Sequence, residues 1–112
     1  GPQQTSGNVS YIIDPQTFDP SGEKEVGIRL LLLNALPNGA NWENSDGGFV
    51  DAGINDIIEW DGSSWNKIFD SATAATSFIT NLNTGVQYKW TGEEWHLSYY
   101  GEFPQGTWRI IL

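Results

Sequence analysis

At 112 residues the chain has room for one modest hydrophobic core and not for two. With 38% hydrophobic, 13% aromatic and 17% charged residues it lies outside the composition of disordered chains, in spite of 13 glycines. Its formal charge of -9 repels nucleic-acid phosphates and anionic lipid, so neither is an expected partner.

There is no cysteine, which removes disulfides, thiolate metal ligands and thiol nucleophiles; the core has to hold the fold by itself. The longest apolar run, residues 30–33, is far short of the roughly 18 residues of a spanning helix. The first residues show no basic stretch followed by an apolar run.

Gly1-Pro2 has the look of the pair that a protease leaves when it removes an expression tag, and on that reading the chain is expected to be an excised domain. Residues 1–10 are polar apart from one valine and are expected to be a flexible lead-in, because they bury too little apolar surface to offset their ordering entropy. Residues 11–112 then form a single β domain. Tyr11-Ile12-Ile13 suits a short strand, and Asp14-Pro15 and Asp19-Pro20-Ser21-Gly22 are turn chemistry. Residues 26–33 are the most apolar segment, and their length between Gly27 and the 34–39 turn region predicts a central strand buried on both faces.

Residues 38–48, rich in glycine and asparagine, predict an ordered loop pinned by Trp42. Segments 49–52, 54–60 and 65–69 read as strands, and 70–76 as a helical turn capped by Asp70 or Ser71. Segments 78–82, 86–90, 95–100 and 107–112 complete the strands, separated by Asn83-Thr84-Gly85, Thr91-Gly92 and Pro104-Gln105-Gly106. So many short strands with close turn signals predict an all-β fold: a small antiparallel sandwich or partly open barrel.

The most informative feature is a repeat. Trp60-Asp61-Gly62-Ser63-Ser64-Trp65 returns thirty residues later as Trp90-Thr91-Gly92-Glu93-Glu94-Trp95, the shared pattern being W-[DT]-G-x-x-W. Glycine in a four-residue loop between strand-like runs suits a hairpin, and that loop sets Trp60 opposite Trp65 and Trp90 opposite Trp95. The domain is therefore predicted to hold two tryptophan-clasped hairpins. In the second, Val86, Tyr88 and Trp90 share a face with Trp95, Leu97 and Tyr99. In the first, Ile57 and Ile68 fall on one face and Ile58, Trp60, Trp65 and Phe69 on the other, so both faces should be covered.

This pair of signatures, following a strand with Gly27-Ile28-Arg29-Leu30-Leu31, resembles tail and virion structural proteins of tailed phages built from small WDGxxW-type β units. The resemblance spans residues 27–102. It implies a structural or adhesive part of a virion, in a tail, baseplate or fibre, partnered by other virion subunits or by further copies of itself. It carries no catalytic residues.

Six tryptophans and four tyrosines also fit a second reading, a receptor-recognition module binding a host glycan by ring stacking. Its candidate residues are Trp42, Asn44, Tyr99 and Tyr100, while Trp60, Gly62, Trp65, Trp90, Gly92 and Trp95 are assigned to the hairpin clasps. The carboxylates Asp56, Glu59, Asp61, Glu93, Glu94 and Glu102 fall at turns and solvent-facing positions, which does not favour hydrolysis. A single histidine, His96, supports neither a triad nor a zinc site, and no calcium-loop spacing or phosphate-binding loop is present. No cofactor and no metal are expected.

Overall fold

The computed structural model describes residues 5–98, with side chains from residue 7 onward. Eight strands make up the described fold: β1 Thr5–Val9, β2 Tyr11–Ile13, β3 Arg29–Leu32, β4 Ile57–Trp60, β5 Trp65–Phe69, β6 Ser77–Asn81, β7 Val86–Trp90 and β8 Trp95–Ser98. Two single 3-10 turns, Pro20–Glu23 and Ala40–Trp42, are the only helical pieces among the described residues. The fold is all-β: two packed four-stranded sheets, ordered β1-β6-β7-β8 and β2-β3-β4-β5, not closed into a barrel.

The sheets are mixed, which purely antiparallel reasoning does not anticipate. Each is a three-stranded antiparallel meander with one further strand laid parallel to the meander's first strand: β1 beside β6, and β2 beside β3. The chain changes sheets at Ser10, whose N–H donates to Arg29 O at 2.8 Å and whose Oγ accepts from Arg29 N–H at 3.1 Å. Residues 5–13 are thus one arm that gives a strand to each sheet. This corrects the flexible lead-in expected over residues 1–10, at least from Thr5 onward. Val9 is 0% exposed in the core between the sheets, and its burial together with a full parallel ladder to β6 orders a segment whose composition is otherwise polar.

The two meanders correspond to the two repeat units, and they stack in the same sense. In the sheet of β6, β7 and β8, Ile79, Tyr88, Trp90 and Trp95 face the neighbouring sheet, where Leu31, Ile57 and Phe69 meet them. In the second sheet the opposite face carries Leu30, Leu32, Ile58, Trp60 and Trp65, covered by Trp42 and by Phe18, Leu36 and Val50 from the long connections. The middle sheet is therefore buried on both sides, as the 26–33 strand was expected to be, although the strand itself is only Arg29–Leu32. The outward face of the other sheet, with Thr80, Gln87, Lys89 and His96, is polar. Lys89 lies 5.8 Å over the Phe78 ring there.

Other boundaries shift for local reasons. Residues 49–52 form no strand; they run as irregular chain over the tryptophan layer, with Val50 and Ala52 packed inward. The segment after β5 is a turn rather than a helix, closed by Thr73 N–H to Asp70 O at 3.1 Å and by Ala72 N–H to the Asp70 carboxylate at 3.0 Å. Phe69 faces opposite to its sequence expectation. A β-bulge sets Ile57 opposite Phe69 and Ile58 opposite Lys67, so the extra residue, Ile68, turns Phe69 to the other side of the sheet.

Candidate functional site

Both tryptophan pairs lie directly opposite one another at the hairpin tips, Trp60 with Trp65 and Trp90 with Trp95. Their ring centroids are 5.2 Å and 5.3 Å apart. Each tip is a four-residue loop whose second residue is a glycine at positive φ, +110° at Gly62 and +104° at Gly92. In the first, the Asp61 carboxylate accepts from Ser63 N–H at 2.9 Å and Ser64 N–H at 2.8 Å; in the second, Thr91 Oγ1 accepts from Glu93 and Glu94 N–H at 3.3 Å. A third aromatic ring completes each clasp: Trp42 on Trp65 at 5.8 Å, and Phe69 on Trp90 and Trp95 at 5.6 and 5.0 Å.

That packing decides the glycan candidates in the described part of the chain. Trp42 is 3% exposed and packed against Trp65, so it offers no face for a sugar ring. Asn44 is a strut: its Oδ1 accepts from Trp65 N–H at 2.8 Å, fastening the Trp42 loop to the first hairpin together with Ser45 N–H to Ser63 O at 2.9 Å. In the fold both residues make structural contacts, Trp42 with Trp65 and Asn44 with the Trp65 backbone. Tyr99, Tyr100 and the strand expected over 107–112 lie outside the described residues.

Among the described residues there is a cleft of about 420 Å³ where the core between the sheets reaches the surface. Its floor is Leu31 of β3 and Ile12 of β2, and Leu33 and Ile54 form one wall. The other wall is Tyr88 of β7 and Trp95 of β8, and Glu93 and Glu94 of the second hairpin tip stand at the rim. Leu33 and Ile54 are 51% and 56% exposed.

The wall is braced. Trp95 Nε1 donates to Asn55 O at 3.1 Å across the sheets, and Asn55 N–H donates to Leu32 O at 2.8 Å. Asn55 has φ +75°, a left-handed conformation that asparagine tolerates better than most residues. Behind it the buried Asp56 carboxylate accepts from Gly53 N–H at 2.9 Å and Ser71 N–H at 2.8 Å, with Lys67 Nζ at 3.8 Å. Asp56 ties the wall loop to the turn after β5.

The cleft was not among the sequence candidates. Its residues come from five separate segments, and only the apolar exposure of Leu33 and Ile54 beside strand ends hints at it. Chemically it offers apolar surface, two aromatic rings and carboxylates. Among the described residues no group of three or more His, Asp or Glu side chains is placed to hold a metal ion, and no helix is long and apolar enough to cross a membrane.

No protein-family model, no curated protein and no solved structure matches this chain.

Proposed function

We propose that this domain is a non-enzymatic structural module acting through protein–protein assembly, a component of a tailed-phage virion of the kind its W-x-G-x-x-W units resemble. The observation that carries this reading is the apolar cleft. On a surface with a formal charge of -9, Leu33 and Ile54 stand half exposed beside a braced aromatic wall. Apolar surface of this kind, rimmed by polar groups, suits contact with another protein. The buried tryptophans Trp42, Trp60, Trp65 and Trp90 support the same reading, because they pack against other aromatic rings and so serve rigidity. A rigid acidic unit that stays soluble alone by mutual repulsion suits a subunit waiting for its place in a particle.

The test is assembly by the full chain. Ile54→Asp, on the exposed cleft wall, leaves the thermal melt nearly unchanged and abolishes incorporation into particles or complex formation with neighbouring virion subunits, read by sedimentation. Incorporation of Ile54→Asp at the wild-type level, or saturable binding on a glycan array with no protein partner, refutes the reading.

A further inference from the structure

The rim of the cleft is acidic and locally unbalanced. Among the described residues, the basic side chains are engaged elsewhere: Arg29 with Glu59 at 3.1 Å, Lys67 with Asp56 and Asp70 at 3.8 Å, Lys24 over the Trp60 ring at 5.2 Å, and Lys89 over Phe78. Only His96 meets the rim, with Nε2 3.0 Å from Glu94 Oε2, and no described basic side chain pairs with Glu93. A second copy would carry the same overall formal charge of -9, so like charge opposes self-docking.

We infer that the cleft receives an arginine flanked by aliphatic residues from a neighbouring protein, a choice of partner that rests on the assembly reading above. Three features of the cleft match that side chain. Its planar guanidinium packs well against aromatic side chains, and the half-buried Tyr88 and Trp95 both line the cleft. The same group is held through paired N–H donors by carboxylates, and Glu93 and Glu94 stand on consecutive turn residues beside the rings. Its methylene stem, with the flanking aliphatic residues, covers Leu33 and Ile54. Lysine fits less well, because a compact, strongly hydrated ammonium lacks the planar face. The wall is set in advance by the Trp95 bond to Asn55, so binding orders little of the receiving surface.

The probe is a blocked peptide, acetyl-Val-Arg-Leu-Val-amide, titrated into the full chain while the Trp95 indole N–H is followed by NMR. A companion peptide carries citrulline, the neutral counterpart of arginine. The expected result is saturable movement of the Trp95 signal. Affinity weakens by about tenfold or more both for the citrulline peptide and for the Glu93→Gln/Glu94→Gln variant, whose exposed turn keeps its backbone bonds to Thr91. Equal binding of the two peptides overturns the inference, as does movement confined to residues outside the cleft or no movement at millimolar peptide. Concentration-dependent self-association that Ile54→Asp removes also overturns it, in favour of a second copy. Sedimentation separates this failure from failure of the assembly reading. If the double glutamine variant assembles like wild type while Ile54→Asp does not, the arginine fails and assembly stands; if neither variant changes assembly, both fail.

Discussion

Asp61 and Thr91 occupy the same place in the two hairpins and cap their loops with different oxygens. The Asp61 carboxyl is held below the usual carboxylate range, first by the Ser63 N–H, then by the Asn66 side chain and the Ser64 N–H. A carboxyl depressed in the folded state stabilises the protein above its unfolded value of about 3.9 and loses that contribution as pH falls through the lower folded value. Denaturant melts taken downward from pH 5 should therefore show a drop in midpoint below about pH 4. Asp61→Asn, which keeps an oxygen for the same N–H groups, should flatten part of that slope; an unchanged slope would show that Asp61 does not contribute to it. The glycines beside these caps have a sharper requirement. A Cβ at Gly92 would meet no atom within 4 Å and at Gly62 only Val26 Cγ2 at 3.5 Å, so strain from positive φ, not crowding, sets the penalty. Gly62→Ala and Gly92→Ala should each lose about 1 kcal/mol or more of unfolding free energy.

At the scale of elements, the bulge in β5 joins the two repeat units. With Ile68 as the extra residue, Phe69 points at Trp90 and Trp95; in an unbroken β5 it would share a face with Trp65. Phe69→Ala should destabilise the fold by about 3 kcal/mol through the cavity left against the second clasp. Substituting the exposed Ile68 by alanine should stay within about 0.5 kcal/mol. Deleting Ile68 altogether should cost far less than Phe69→Ala, since straight pairing then sets Phe69 directly after Lys67, opposite Ile57 and still facing Trp90 and Trp95. Chemical denaturation of the three variants checks this; a loss on deletion as large as that of Phe69→Ala would show that the side on which the ring lies is not set by the one unpaired residue.

At the scale of the whole molecule, the arm of residues 5–13 couples the sheets, because β1 belongs to one and β2 to the other. Val9→Ala should lose about 2 kcal/mol, as expected for a fully buried side chain. Removing residues 1–10 should lower cooperativity as well as stability, because the parallel partner of β6 and half of the inter-sheet link go together. A truncated chain that melted like the full one would show the arm to be dispensable. The stack also sets where the molecule can meet others. The middle sheet is covered on both faces and the far sheet ends in a polar face; the acid-rimmed cleft is an apolar opening where the core between them reaches the surface.

The hairpins were legible in the residues themselves, since strand alternation, a turn glycine and a closing tryptophan pair all act within a dozen positions. The Leu30-Leu31-Leu32 run likewise announced burial on both faces, because no one-sided strand tolerates consecutive leucines. Parallel pairing was not legible: β1 meets β6 between partners such as Thr5 and Ser77, far apart in the chain, with no turn between them to mark the union. The side on which Phe69 lies depends on one unpaired residue, and an alternating pattern carries no sign of it. Whether Trp42 binds or packs depended on Trp65 arriving beneath it, through the Asn44 bond to Trp65 N–H. The cleft, too, exists only in three dimensions, because residues 12, 31, 33, 54 and 88 become neighbours when one sheet stacks on the other. Local chemistry in the sequence determined the hairpins and the buried strand; tertiary packing decided which aromatic rings were enclosed and which apolar surface stayed open.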